Sequence, residues 1–221
     1  MARPVHADAQ ATRRRILDSA RTSFAAGGLA GASVRHIARG AGVSLAMVHH
    51  YFGSKEGLYQ ACVQAMLDEL ASLGQELATG LADAAASPNA IVDRAVRVGW
   101  RFARKNRDAV RLLQRSIVEA GEVDADIRTT RMLPFLDTVS GGLAVLTGRG
   151  PGELRLAVQS IVFLVVRYGI SSERELAELA FGVGGRRRGA DAEAALEQHL
   201  VASALDLLGL RRRERAYPRA Q

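Results

Sequence analysis

Disulfide-forming and membrane-spanning features are missing from this sequence. Among its 221 residues there is one cysteine, Cys62, so no intramolecular disulfide can form and a reducing compartment is favoured. The longest apolar run, SIVFLVV at 160–166, is far shorter than the ~20 residues that a membrane-spanning helix needs. The N-terminal stretch MARPVHADAQATRRR lacks the apolar core of a signal peptide. We therefore expect a cytoplasmic protein that makes no membrane contact.

Strand patterns and catalytic clusters are also missing. No alternation of polar and apolar residues persists for more than a few positions, and no glycine-rich phosphate loop follows a strand. Cys62 has no acid–base partner nearby in the sequence, so we expect a buried thiol rather than a nucleophile. The sequence therefore predicts neither an enzyme nor a cofactor.

Helical spacing of apolar residues runs through the whole chain. Ile16, Ala20 and Phe24 form one stripe at i, i+4 and i+8, and the glycines at 27–28 should end that helix. Pro134 should kink or split a later helix at about 124–146. We predict an all-α protein of about nine or ten helices, three of which begin at the serine N-caps Ser33, Ser44 and Ser54.

Positive charge is concentrated near the N-terminus. Residues 1–56 contain eight Arg and Lys against three acidic residues, a net charge of +5, whereas residues 57–221 contain 22 against 20, a net charge of +2. A compact basic segment suits a polyanion such as nucleic acid, although a solvated charged face has the same composition. We interpret the Arg-rich stretches at 186–188 and 211–215 as solvated charge.

Two short helices, at 33–40 and 44–51, are joined by the turn GAGV. Helices that cross steeply need a small residue where they touch, which Ala38 provides. The turn needs a residue that tolerates positive φ, which Gly42 provides, and the second helix needs an apolar anchor, which Val48 provides. This spacing predicts a helix-turn-helix, whose second helix enters the major groove of DNA.

Residues 12–59 resemble the N-terminal domain of the TetR family of transcriptional regulators. The resemblance covers about fifty residues in register, whereas the remaining three quarters of the chain match the family only in helix count and layout. The matching positions are Ile16, Ala20, Phe24, Gly28, Ser33, Val34, Ile37, Ala38, Ala41-Gly42-Val43-Ser44, Tyr51-Phe52, Ser54-Lys55-Glu56 and Leu58.

The resemblance implies an all-α homodimer with a DNA-binding head and a C-terminal domain that binds a small effector and dimerises. We place the helix-turn-helix domain at 9–69, with its motif at about 32–51, the effector-binding domain at 70–210, and a flexible basic tail at 211–221. The implied function is sequence-specific transcriptional regulation, interpreted as ligand-responsive repression at a palindromic operator. The alternative is an α-helical interaction protein whose basic head binds an acidic partner.

By resemblance, residues 44–50 form the recognition helix. Ser33 and Lys55 lie at helix N-termini, where backbone N–H groups face phosphates. For Arg35 and Arg39 two interpretations are left open: each contacts a phosphate, or each is solvated surface. The candidate DNA-contacting residues are Ser33, Arg35, Ser44, Leu45, Ala46, Met47, His49, His50 and Lys55.

The recognition helix departs from the family pattern. The family often has a polar residue at Leu45, Gly-Thr at Ala46-Met47, and Tyr at His49. Leu45, Ala46 and Met47 cannot hydrogen-bond bases, but they can pack on thymine methyls. His49 can donate to a phosphate, more strongly when protonated.

The adjacent histidines also suggest a metal site, but their spacing disfavours it. Neighbouring side chains on a helix point ~100° apart, whereas metal-binding pairs prefer i, i+3 or i, i+4 spacing. We therefore expect His49 and His50 to contact DNA or to be plain surface.

The C-terminal helices should provide an effector pocket and a dimer interface. The helices near 152–168 and 190–209 carry apolar residues on several faces, which suits an intermolecular four-helix bundle; an intramolecular core is the competing explanation. Ordinary core is also the competing explanation for each candidate pocket residue. These residues are Trp100, Phe102, Met132, Phe135 and Phe163.

Overall fold

A computed structural model describes residues 5–81, 86–183 and 189–211, and these residues are α-helical with short connections. The predicted tail lies outside them except for Arg211, as does the Arg-rich stretch at 186–188. The described part of the chain divides into two compact units. The first comprises the residues up to Ser72 together with Asn106–Asp124, and the second comprises Leu73–Lys105 and the residues from Ala125 onward.

The first unit contains four complete helices and the first part of a fifth. Gly28 has non-helical angles (φ 64°, ψ −172°), so the first helix breaks where its glycine pair predicts an end. The helices are α1 (Val5–Gly31), α2 (Val34–Ala41), α3 (Leu45–Phe52), α4 (Lys55–Leu81, of which the residues up to Ser72 belong here) and α6 (Arg107–Ala120).

The core of the first unit is formed by the predicted apolar stripe of α1. Ile16, Ala20 and Phe24 have no exposed surface, and they pack with residues of α2, α3 and α4. Leu112 of α6 completes this core, although it lies fifty residues beyond Cys62, the core residue of α4. The Cys62 thiol is fully buried, as predicted, and burial raises its pKa to about 12.

The second unit contains the rest of α4 and six further helices. A π-helical turn at Arg128–Met132 separates two of them, and in it the Leu133 N–H donates to the Arg128 carbonyl. Only Leu133 separates the turn from Pro134, which lacks an N–H, so the regular α-helix is interrupted where the sequence predicts a kink or a split. The helices are α5 (Pro88–Lys105), α7 (Ala125–Ile127), α8 (Leu133–Thr147), α9 (Pro151–Gly169), α10 (Glu173–Phe181) and α11 (Gly189–Leu207).

Arg104 links three segments of the second unit. Its guanidinium donates to Glu193 of α11 and to the carbonyls of Gly169 and Ser171 at the end of α9. Its carbon Cζ also lies 5.7 Å from the centroid of the Trp100 ring. These bonds hold α5, α9 and α11 around one apolar core.

In the described part of the chain, no single helix is long and apolar enough to cross a membrane. The helices α9 and α10 taken together reach that length and composition, and they are bent by 114°.

Candidate nucleic-acid interface

The turn between α2 and α3 has the geometry that its sequence predicts. Gly42 adopts the left-handed conformation at φ 66°, and the N–H of Val43 donates to the Ala38 carbonyl at 3.0 Å. The Ser44 hydroxyl then accepts a hydrogen bond from the Met47 N–H at 3.2 Å. The first helix is therefore closed and the second begun within three residues.

Ala38 and Val48 are the buried residues that the motif requires. They are 2% and 1% exposed, and both belong to the core of the first unit. Tyr51 and Phe52 are half-buried and pack against the same core, with the Arg13 guanidinium 5.5 Å from the centre of the Phe52 ring. One side of α3 is thereby fixed against the unit.

The opposite side of α3 faces solvent. We call it the recognition face; it is mostly apolar, with Met47 41% exposed, Ala46, His49 and His50 exposed, and Leu45 half-buried. The structure thus brings these five predicted residues together on one short helix. Ser44 is exposed at its start, with its hydroxyl engaged by the cap.

The two adjacent histidines have different partners. Nδ1 of His49 lies 2.9 Å from the carbonyl oxygen of Gly53, whereas the ring of His50 meets the ring of Tyr51 edge-on at 5.4 Å. Within the described ranges, no three His, Cys, Asp or Glu side chains are grouped as metal ligands. Because a carbonyl oxygen can only accept, Nδ1 of His49 carries a proton, and only a doubly protonated ring donates outward from Nε2.

A polar cleft of about 450 Å³ adjoins the N-terminus of α2. Arg35 and Arg39 are exposed beside it, and the Arg39 guanidinium donates to Nδ1 of His36 at 2.9 Å. The Ser33 hydroxyl accepts from the His36 N–H at 3.4 Å, which leaves other N–H groups of the first turn of α2 to face a ligand. His36 and Ser23 line this cleft, and sequence reasoning did not select them because their approach depends on the packing of α2 against α1.

The N-terminus of α4 provides a further positively charged side chain, Lys55, in addition to Arg35 and Arg39 of α2. Ser54 caps it by accepting from the Gly57 N–H at 3.0 Å. The Lys55 ammonium donates to the Ala30 carbonyl at 3.1 Å, which uses one of its three donor hydrogens. Lys55 is therefore held in place with two donors left for a phosphate.

The five candidate pocket residues do not all lie together. Trp100 is buried at 3% exposure, and Met132 and Phe135 pack against the same core. Phe102 is half-buried, whereas Phe163 is 61% exposed on the outer side of α9. The apolar periodicity of α9 could not separate its core side from its solvent side, because both carry apolar residues.

The N-terminal segment matches a known family model. Residues 16–62 fit the model described as bacterial regulatory proteins, tetR family. The HTH-type transcriptional regulator BetI of Rhizobium meliloti is 37% identical over 89 residues, which are 40% of this chain and 42% of that protein. The HTH-type transcriptional repressor KstR2 of Rhodococcus jostii is 35% identical over 80 residues, 36% of this chain and 39% of that protein. The chain thus matches less than half the length of these relatives.

Solved structures resemble this chain in fold over most of its length, beyond the N-terminal segment. A TetR-like transcriptional regulator from Rhodococcus sp. RHA1 superposes with a TM-score of 0.59 at 21% identity, covering 93% of this chain and 98% of that one. The TetR-family regulator PfmR from Thermus thermophilus gives 0.54 at 21% identity, with 85% and 97% covered. At this identity the likeness concerns the fold, which confirms the predicted all-α architecture.

Proposed function

Because residues 16–62 match the model of the tetR family of bacterial regulatory proteins, we propose that this chain is a ligand-responsive repressor of that family. It binds a palindromic DNA operator as a homodimer, with residues 9–69 contacting DNA and residues 70–210 holding the effector and the dimer interface. The observation that carries the proposal is the exposed recognition face of α3 beside exposed Arg35, Arg39 and the anchored Lys55.

The basic residues supply affinity that does not depend on base sequence. Lys55 and the N–H groups of the first turns of α2 and α4 meet phosphates, which sets the position of α3 in the major groove. The recognition face then contacts base edges. Two such heads bind half-sites about one helical turn, ~34–36 Å, apart.

Apolar surface on α9 supports the dimer. Leu156 and Phe163 are 72% and 61% exposed and lie seven residues apart, so they share one side of the helix. On α11 the exposed residues Ala194 and Gln198 lie four residues apart on one uncharged side, where the small Ala194 lets a neighbouring helix approach. These sides of α9 and α11 from two subunits would form the intermolecular four-helix bundle.

The effector domain is proposed to act by population shift. A small molecule bound beside Trp100, Met132 and Phe135 favours the conformation whose head spacing no longer fits the two half-sites. The apolar character of these residues suits an apolar or amphipathic ligand.

Electrophoretic mobility shift and footprinting on the intergenic DNA upstream of the gene test the proposal. We expect a protected, two-fold symmetric site and an affinity that falls steeply with salt. Lys55→Ala and His50→Ala should weaken binding, whereas Lys105→Ala, which changes the chain's other lysine, should not. A salt-independent complex without a defined footprint would contradict DNA recognition and favour the acidic-partner alternative.

A further inference from the structure

The ring of His49 is held by the carbonyl that follows its own helix. Nδ1 lies 2.9 Å from the Gly53 carbonyl oxygen, and the Gly53 N–H donates to the His49 carbonyl at 2.8 Å. Gly53 has φ 72°, a conformation that favours glycine. The backbone at the end of α3 therefore sets the position of the Gly53 carbonyl. The side chain is nevertheless exposed.

This arrangement determines the hydrogen-bond polarity of the outward ring atom. The Gly53 carbonyl cannot donate, so the proton of a neutral imidazole is on Nδ1. Nε2 then carries a lone pair and can only accept. A neutral His49 is therefore matched to a donor on the DNA and mismatched to phosphate oxygens or to the N7 and O6 acceptors of guanine.

The neighbours of His49 narrow the choice of base pair. Ala46, three residues before His49, offers a methyl group beside it, and Met47 offers thioether surface further round the exposed side of the helix. The Ser44 hydroxyl accepts from the Met47 N–H and so is held at the start of α3. In the major groove an A·T pair presents both an exocyclic amine, on adenine, and a methyl group, on thymine. A C·G pair presents an amine without the methyl.

We propose that His49 is a specificity-determining residue that accepts a hydrogen bond from the N6 amine of an adenine, while Ala46 and Met47 pack on thymine methyls. The inference rests on the proposed function, because it assigns the bases that the recognition face distinguishes. Each operator half-site accordingly contains an A·T pair at the position opposite the C-terminal end of α3.

The test uses the full-length protein and an operator obtained by selection from random duplex DNA. Each adenine is replaced in turn by a purine nucleoside that lacks the 6-amine. We expect wild-type affinity to fall roughly 3–10-fold at one adenine per half-site, the loss of one hydrogen bond. His49→Asn is the informative variant, because its amide can still donate to Gly53 but carries no atom at the Nε2 position. It should bind the natural operator more weakly and be insensitive to removal of that amine.

Two controls separate this role from a structural one. Lys55→Ala should lower affinity for every duplex while retaining the full sensitivity to the amine. Thermal unfolding should show His49→Asn to be as stable as the wild type, since the bond to Gly53 is preserved.

Three results would overturn the inference. One is equal sensitivity to the amine in wild type and His49→Asn. Another is sensitivity at a cytosine amine instead of an adenine. The third is a uniform loss of affinity in His49→Asn with a reduced salt dependence, which indicates a phosphate contact. Failure of the wild type to select any duplex would instead contradict the proposed function itself.

Discussion

The ammonium group of Lys55, in the first turn of α4, donates a hydrogen bond to the carbonyl of Ala30, near the end of α1. The bond connects two segments that are 25 residues apart in the sequence. It holds the positive charge at a fixed place beside the helix-turn-helix, so that charge is not merely a mobile surface group.

We predict that Lys55→Ala weakens specific and nonspecific DNA binding by a similar factor. Because one phosphate contact is lost per subunit, the slope of log affinity against log salt should become shallower by about 0.9 for each subunit bound. Salt titrations of the wild type, Lys55→Ala and Lys105→Ala measure this difference. An unchanged slope in Lys55→Ala would show that Lys55 only ties α4 to α1.

Replacement of Gly28 by alanine should destabilise the first unit. Gly28 has φ 64° and ψ −172°, a region that residues with a Cβ rarely occupy, and an added Cβ would lie 2.7 Å from Nε of Arg115. We expect the free energy of unfolding to fall by about 1–3 kcal/mol, mostly from backbone strain because the Arg115 side chain can move. Gly31→Ala is the matched control, since nothing lies within 4 Å of its Cβ. Urea unfolding in which the two variants are equally stable would contradict the prediction.

The Cys62 thiol should make the protein less stable at alkaline pH. Burial raises its folded-state pKa from an ordinary value of 9.0 to about 12. Between these values the thiol is ionised in the unfolded chain but neutral in the folded one, so the unfolded state binds fewer protons. The free energy of unfolding therefore decreases as pH rises above about 9.

Cys62→Ala provides the comparison for this alkaline effect. Burial also raises the pKa of Tyr59, but both proteins share that residue. Urea unfolding at pH 7.5 and 10.5 should show a larger loss in the wild type than in Cys62→Ala. Equal losses would mean that the thiol does not contribute.

The exposed aromatic of α9 should control the oligomeric state. We expect Phe163→Glu to shift the dimer towards monomer in sedimentation velocity at micromolar concentration, because a charge would be buried in the bundle. Val145→Glu is the control, since Val145 is 87% exposed on α8, outside the proposed interface. If Phe163→Glu remains as dimeric as Val145→Glu, the interface lies elsewhere.

Phe163 also illustrates what apolar periodicity leaves undecided. On the same helix Leu154 and Val158 are buried, whereas Leu156 and Phe163 are exposed. A helix with apolar residues on several faces does not specify which face meets its own subunit. The same ambiguity applies to Trp100, which is buried, and to Phe102, which is only half-buried.

The sequence by itself determined the features that depend on local contacts. Ser33, Ser44 and Ser54 cap helices through hydrogen bonds to backbone groups three residues away, and Gly42 takes the left-handed turn that only a residue without a Cβ adopts readily. The helix-turn-helix could be predicted from these local rules, together with the small residue Ala38 and the apolar residue Val48 where α2 and α3 cross.

Only the tertiary structure decided which distant segments meet and how side chains are oriented. It placed Leu112 of α6 in the core of the first unit, tied Lys55 to Ala30, and directed Nδ1 of His49 at the Gly53 carbonyl. The first two depend on packing between segments far apart in the chain. The third spans only four residues, but it depends on the backbone angles at Gly53, so none of the three is contained in the spacing of residue types.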